Sequence, residues 1–240
     1  MKNRFYINQT PSTNALSWEM NRENALPDGF VVHTDYQSAG KGQPGNSWES
    51  AAGKNLLFSI VLHPHHVPMD RLFLISQLVS MAIKKALDEY TSDISIKWPN
   101  DIYWKDKKLA GILIENSLQG TKIKTVVVGI GLNVNQKKFE SDAPNPVSLL
   151  QITGRRQNRK LLLNRICENI NCLYTDFDIE KICAEYASSL YRKEGFYSFQ
   201  TENESFQAKI IEVHQNGQLE LETRKGERKE FYFKEVQFVV

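Results

Sequence analysis

The spacing of apolar residues alternates along this chain between every second residue and every third or fourth. FYINQ (5–9) has the β-branched and aromatic content of a short strand. A helix capped by Ser12 or Thr13 is expected to run to about Asn24, because a hydroxyl there can accept from the orphan amides of a first turn. FVVHTDY (30–36) reads as a strand, and LLFSIVL (56–62) as a strand buried on both faces. From 70 to 90, Leu72, Ile75, Val79, Ala82, Ile83, Ala86, Leu87 and Tyr90 fall three or four apart, which predicts an amphipathic helix.

ISIKW, DIYW, LAGILIEN and KIKTVVVGIGLNV then follow within some forty residues, joined by tight turns such as 105–108. Strands so closely spaced pair as an antiparallel meander. Residues 134–158 are rich in Pro, Asn and Ser and read as a connecting loop, after which helices are expected near 159–176 and 178–191. From Phe196 the pattern is strand-like again, with Asn216-Gly217 as a hairpin turn. The expected fold is α+β. A mixed, mostly antiparallel sheet with flanking helices forms one domain over 1–191, and a small C-terminal β-barrel covers 192–240.

Composition narrows the function classes. The 240 residues are 41% hydrophobic and 24% charged, ordinary values for a globular chain with its own core. Thirty basic residues face 28 acidic ones, a net charge of +2, too balanced for a chain that binds nucleic acid by its field. No apolar run reaches membrane-spanning length and the N-terminus lacks a secretory h-region, so a cytoplasmic protein with no membrane partner is expected. Cys167, Cys172 and Cys183 match no zinc or redox spacing and read as plain thiols. His63, His65 and His66 lie in LHPHHVP, where two prolines enforce an extended solvated connection, so no metal site is expected.

Five segments carry residue types suited to ligand chemistry. QSAGKGQPGNSW (37–48) places Gly40, Gly42 and Gly45 around Lys41, so uncovered backbone amides and one ammonium can wrap an anion. It is neither a P-loop nor a dinucleotide fingerprint, since no helix follows. KWPND (97–101) puts a lysine on an apolar strand directly before Trp, Pro, Asn and Asp, where its charge could let a carboxylate meet a phosphate. In KLAGILIE (108–115) Gly111 interrupts a strand, which suits close backbone approach, and in GIGLNVN (129–135) Gly129 and Gly131 form a Gly-x-Gly that leads to Asn133 and Asn135 or merely marks a bulge. Ser12-Thr13-Asn14 offers small polar groups at a helix start, suited to a neutral ligand such as a urea.

In this order the segments resemble the motifs of the biotin–protein ligase family: Ser-Thr-Asn on the first helix, Gln before a Gly-Arg-Gly-Arg-x-x-Arg-x-Trp loop, Lys-Trp-Pro-Asn-Asp, Lys-x-x-Gly-Ile-Leu-x-Glu and Gly-x-Gly-x-Asn-x-Asn. The resemblance implies a class II synthetase-like catalytic fold and a two-step reaction. Biotin and ATP, the latter with Mg2+, give biotinyl-5′-AMP, and the biotinyl group then passes to a lysine of a biotin carboxyl carrier protein. It assigns Ser12, Thr13, Asn14 and Gln37 to the biotin ureido group, Lys41, Gly42 and Gln43 to the ligand-binding loop, and the backbones of Gly111 and Leu113 to biotin. Gly40, Trp48, Asn100, Lys108 and Asn133 fall near the nucleotide. Lys97 becomes the catalytic residue bridging biotin carboxylate and α-phosphate.

Lys41, Gln43 and Asn46 stand where the family has arginines, and a lysine cannot make the two-pronged phosphate contact of a guanidinium. The loop is therefore expected to hold the adenylate less tightly, or to recruit Lys108 or Lys137. With the first motif at residue 12, no N-terminal DNA-binding domain is expected, hence no nucleic-acid partner. Exposed sheet edges leave room for a homodimer. The rival readings are a lipoate or octanoate ligase or transferase of related fold, whose Arg-Arg-x-Ser-Gly-Gly-Gly type loop is not visible here, and a biotin or nucleotide sensor without turnover.

Overall fold

Strict alternation along the two most apolar strands builds a sheet covered on both sides. In the computed structural model, which describes residues 3–43, 45–141 and 143–239, β3 (Leu56–Leu62) and β7 (Lys122–Leu132) pair antiparallel at the centre. Around them β1 (Arg4–Thr10), β2 (Phe30–Gln37), β4 (Ile94–Lys97), β5 (Asp101–Trp104) and β6 (Lys107–Gln119) complete a seven-stranded sheet of order β1-β2-β3-β7-β6-β5-β4. Only β1 and β2 run parallel. Four consecutive strands, β4 to β7, form the expected meander.

One face carries Phe58, Ile60, Leu62, Val126, Val128 and Ile130 into the main core. There α2 (Phe73–Leu87) is covered in turn by α4 (Arg159–Asp176) and α5 (Ile179–Ser188). Enclosure on several sides explains why Ser76, Gln77 and Ser80 of α2 are buried along with its apolar residues. The other face carries Val61 and Val127 against Leu26 and Trp18, beneath α1 (Thr13–Asn24). Ser59, Gly129 and Gly131 alternate onto this second face, so the strand period delivers polar and glycine positions to one side of the sheet.

Helix starts follow their caps. Ser12 Oγ accepts from Ala15 N, Asn158 Oδ1 from Lys160 N and Leu161 N, and Asp178 from Lys181 N. The loop expected over 134–158 contains a short helix, α3 (Leu149–Thr153), closed by a capping box in which Ser148 and Gln151 exchange hydrogen bonds. Five residues are too few for a hydrophobic period, so the Ser-x-x-Gln pair was its only sequence signal. The last helix ends at Ser188 rather than near 191, because the chain there bonds to β4: Ile96 N donates to Ser189 O and Tyr191 N to Ile96 O.

The C-terminal strands β8 (Tyr197–Gln200), β9 (Ser205–Val213), β10 (Leu219–Thr223), β11 (Arg228–Phe231) and β12 (Gln237–Phe238) form an antiparallel sheet of order β11-β10-β9-β8-β12. The Asn216-Gly217 turn stands between β9 and β10 as expected, Gly217 at φ +90°. The expected closed barrel is not seen, since β11 and β12 are edges with no pairing to each other among the described residues. These two outer strands span four and two residues, too little to carry a ladder around the cylinder. Phe199, Ala208, Ile210, Leu219, Leu221, Val236 and Phe238 join the main core. No helix among the described residues is long and apolar enough to cross a membrane.

Candidate functional site

A cleft of about 520 Å³, including its open mouth, lies where the N-terminus of α1 faces β6 and β7. Ser12, Thr13, Asn14, Gln37, Lys41, Gly42, Gln43, Trp48, Lys108, Gly111 and Leu113 line it, so eleven of the residues expected at the site meet there. Asp101, Ile112, Gly129, Ile130 and Gly131 line it as well. Gly40, Lys97, Asn100 and Asn133 do not reach its wall.

At one end the polar groups are committed to one another in a way that leaves specific valences over. Thr13 donates to Gln37 Oε1 through both N (2.8 Å) and Oγ1 (3.0 Å). Ser59 Oγ lies 2.7 Å from Thr13 Oγ1 and 2.6 Å from Asn14 Oδ1, but a hydroxyl has one proton to give. One of those two oxygens therefore keeps a lone pair for another donor. Asn14 Nδ2 is taken by Glu115 Oε2 (2.9 Å) and Leu113 O (3.3 Å). The Gln37 Nε2 hydrogens have no partner among the described residues, and the Ser12 hydroxyl, which accepts from Ala15 N, keeps its own proton. Spare donors thus stand beside a spare acceptor, the complement of a cyclic urea's C=O and N–H. None of the spare donors and acceptors carries a charge; the one carboxylate nearby, Glu115, is taken up by Asn14 and Trp18.

The middle of the cleft is made by glycines. Gly111 and Gly131 pair directly across β6 and β7, and the Trp48 ring lies on them. A Cβ on Gly131 would come within 2.4 Å of that ring, and one on Gly111 within 2.9 Å. A Cβ on Gly129 would fall 2.3 Å from Asn14 Oδ1. Two strand glycines therefore exist for Trp48 and one for Asn14. The turn carrying Trp48 closes on itself: Trp48 N donates to Gly40 O, Gly42 N to Asn46 O, and Lys41 bridges Ser47. Pro44 of this segment lies outside the described residues. Trp48 Nε1 is buried with no hydrogen-bond partner among the described residues. Ile112 and Ile130 add apolar wall.

The far end is ionic. Lys108 Nζ lies 2.6 Å from Asp101 Oδ2 and 6.0 Å from the centre of the Trp48 ring. Asp101 pairs across the hairpin with Lys97, which places Lys97 one strand beyond the cleft wall. Lys97 Nζ donates to Tyr103 OH at 3.2 Å. Burial draws its ammonium below the usual lysine range, partly offset by the Asp101 carboxylate, while Lys108 and Arg192 push the same way as burial.

The rest of 97–101 is anchored on three sides. Trp98 Nε1 donates to Gly217 O (2.9 Å), Pro99 O accepts from Tyr186 OH (2.7 Å), and Asn100 Nδ2 donates to Ser76 Oγ (3.1 Å). Asn100 is thereby buried against α2. Asn133 is buried where the chain leaves β7, its Oδ1 without a partner among the described residues. Asn135 and Gln136 tie this region to 157 and to 49–55: Asn135 Nδ2 donates to Gln157 O, and Asn55 Nδ2 to Gln136 Oε1. Sequence reasoning gave Ser59 and Glu115 no role, and it named Asp101, Gly129 and Gly131 without assigning them a place in the site. All but Ser59 stood within the motifs already noted; Ser59 had only its polarity inside an apolar strand to mark it.

Elsewhere, His63 is a structural residue, its Nε2 2.9 Å from Leu26 O and its Nδ1 3.1 Å from Lys124 O. Among the described residues, Glu212, His214 and Glu220 bring potential metal-ligand atoms together on the C-terminal sheet, although Glu220 is already paired with Arg228 at 3.0 Å. The Cys167 thiol is pushed up to about 11 by burial and is inert.

Comparison with known proteins agrees with this geometry. The model of the biotin/lipoate A/B protein ligase family matches residues 6–133, more than half of the chain. The bifunctional ligase/repressor BirA of Bacillus subtilis is 29% identical over 236 residues, 93% of this chain and 70% of that protein. The biotin–[acetyl-CoA-carboxylase] ligase of Mycobacterium tuberculosis is 30% identical over 168 residues, 68% of this chain and 61% of the relative. The structure of a biotin protein ligase from Aquifex aeolicus in complex with biotin and ATP matches over 100% of both chains, with a TM-score of 0.81 and 26% identity. The glycine-paved cleft, its uncharged polar end and the 6–133 match converge on one conclusion: this chain belongs to the biotin/lipoate A/B protein ligase family.

Proposed function

We propose that the protein activates biotin with ATP to give biotinyl-5′-AMP and transfers the biotinyl group to a lysine of a biotin carboxyl carrier protein. One observation carries this reading: a single cleft has spare neutral donors and an acceptor at one end and the Lys108–Asp101 pair at the other, with an apolar, glycine-paved passage between. Ser12, Thr13, Asn14 and Gln37 receive the ureido group, and the carboxylate of the side chain then points toward the ionic end. The residues at 1–191 do this chemistry, and 192–240 form an accessory module.

In the first step a carboxylate oxygen of biotin attacks the α-phosphorus and the bond to the β-phosphate oxygen breaks, releasing pyrophosphate. Two anions must meet for this to occur. Lys97 lowers their repulsion, with Lys41 and Lys108 nearby, and a well-placed cation of this kind is worth roughly 3 kcal/mol at the transition state. Mg2+ bound to the triphosphate would neutralise part of its charge. In the second step the acceptor amine forms an amide at the acyl carbon, AMP leaves with the bridging oxygen, and the amine's proton goes to solvent. Trp48, over Gly111 and Gly131, covers the mixed anhydride.

The test is purified protein with ATP, Mg2+ and a carrier domain, given biotin or lipoate, the carrier then being weighed by mass spectrometry. Biotin on the carrier lysine is expected, and none from lipoate. Label from lipoate alone, or adenylate formation without transfer to any carrier, would overturn the reading.

A further inference from the structure

We propose that Tyr103 and Phe238, one from the meander and one from the C-terminal sheet, are positioning residues that hold the Lys97 side chain as an oriented cation. The proposal rests on the reading of Lys97 given above.

A lysine has four side-chain torsions, and an exposed ammonium sweeps a wide volume. Here it is caught between two rings. Lys97 Nζ stands 5.0 Å from the Tyr103 ring centre and 5.6 Å from that of Phe238, both within cation–π range. The rings themselves are buried and held. Tyr103 packs on Tyr191 at 5.3 Å, and Phe238 on Phe199 at 4.7 Å and on Tyr191 at 5.7 Å. Aromatics from β5, β8, β12 and the stretch after α5 therefore fix where the ammonium can go.

Direction comes from the hydroxyl. An ammonium only donates, so Tyr103 OH accepts at 3.2 Å, and burial, reinforced by Asp101, pushes that phenol up to about 12. It stays a neutral acceptor throughout the working range. The charged groups acting on Lys97 are Asp101 of β5, Lys108 of β6 and Arg192 beyond α5. Two of these three are cations, and burial opposes the charge as well. The hydroxyl lone pair and the ring faces are what remains, besides Asp101, to favour the protonated state. The C-terminal sheet would thus act on the chemistry through one ring on β12 without touching substrate.

A purely packing role would survive removal of the hydroxyl, because phenylalanine keeps the ring. The decisive measurement is biotin-dependent ATP–pyrophosphate exchange by the full chain between pH about 6 and about 10, in wild type, Tyr103→Phe, Phe238→Leu, Phe238→Tyr and Lys97→Met. Loss of the acceptor makes the cation less stable, so Lys97 deprotonates earlier and the alkaline limb moves to lower pH. Tyr103→Phe should lower kcat by about tenfold or more, with KM for biotin and ATP changed by no more than about threefold. Phe238→Leu should shift the limb in the same direction by less, and Phe238→Tyr should restore it. An unchanged kcat and limb in Tyr103→Phe, with Lys97→Met inactive, would overturn the positioning proposal alone. Exchange persisting in Lys97→Met would instead overturn the role of Lys97 beneath it. Should Phe238→Leu fail a thermal-melt check for folding, Tyr103→Phe decides the matter.

Discussion

Gly131 does one thing that no other residue could do at its position. Its missing Cβ is the space occupied by the Trp48 ring, 2.4 Å from where that carbon would stand, against 2.9 Å at Gly111. The ring cannot flex, so Gly131→Ala must displace Trp48 and with it the 40–48 turn that lines the cleft. We expect Gly131→Ala to raise KM for ATP by about tenfold or more, since overpacking of this kind costs roughly 1–3 kcal/mol. Gly111→Ala should be milder, and steady-state kinetics showing the reverse order would contradict the packing described. The sequence marked Gly111 as a strand glycine suited to close approach and Gly131 only as part of a Gly-x-Gly, but not what approached them, because Trp48 is more than sixty residues away in the chain. The same limit hid Ser59, whose one proton is shared between Thr13 and Asn14. Ser59→Ala removes that donor and frees both oxygens, so biotin affinity should fall by about tenfold with kcat at saturation little changed. Equal affinity in isothermal titration would show that Ser59 does not order the shell.

At the scale of elements, what was legible depended on length and on period. The strand at 56–62 was read to the residue, and the helix at 13–24 nearly so, because six apolar residues among seven and a polar cap leave little room for another answer. The α3 turn and the open C-terminal sheet were not. A five-residue helix has no period, and whether a sheet closes depends on the reach of its edge strands rather than on their pattern. The 97–101 segment shows a second kind of limit. The resemblance placed Asn100 near the nucleotide, whereas the structure spends Trp98, Pro99 and Asn100 on the C-terminal turn, α5 and α2, and of the five residues Asp101 alone lines the cleft. The Trp98 Nε1 bond to Gly217 O fastens the two sheets together. Trp98→Phe should destabilise the protein by about 1–2 kcal/mol in urea denaturation and raise amide exchange in the β9–β10 turn. Unaltered exchange there would mean that the contact does not hold the module.

Over the whole molecule, carboxylates join elements distant in sequence, and their ionised forms are favoured by folding. Burial alone would raise Asp35, but hydrogen bonds from Arg159 and Tyr6 outweigh it and bring it below its ordinary value, tying β2 to α4 and β1. Burial likewise works against Glu49, and hydrogen bonds from Ser141, Glu140 and Gln136 prevail. Tyr191 and Arg192 hold Asp106 low, and Lys209 with Arg228 holds Glu222 low. Each of these groups has a folded pKa beneath its unfolded one. Its stabilising contribution is therefore complete above about pH 5 and disappears as pH falls through the folded value. These groups are well hydrated, so each contribution is small, and the shared sign is what makes the sum visible. The urea midpoint should fall steadily between pH about 5 and about 2.5, and Asp35→Asn should flatten part of that slope while lowering stability at neutral pH. The second effect follows because an amide leaves the Arg159 guanidinium without its counter-charge. Parallel acid profiles for the two proteins would place the acid sensitivity in other carboxylates and remove Asp35 from the account.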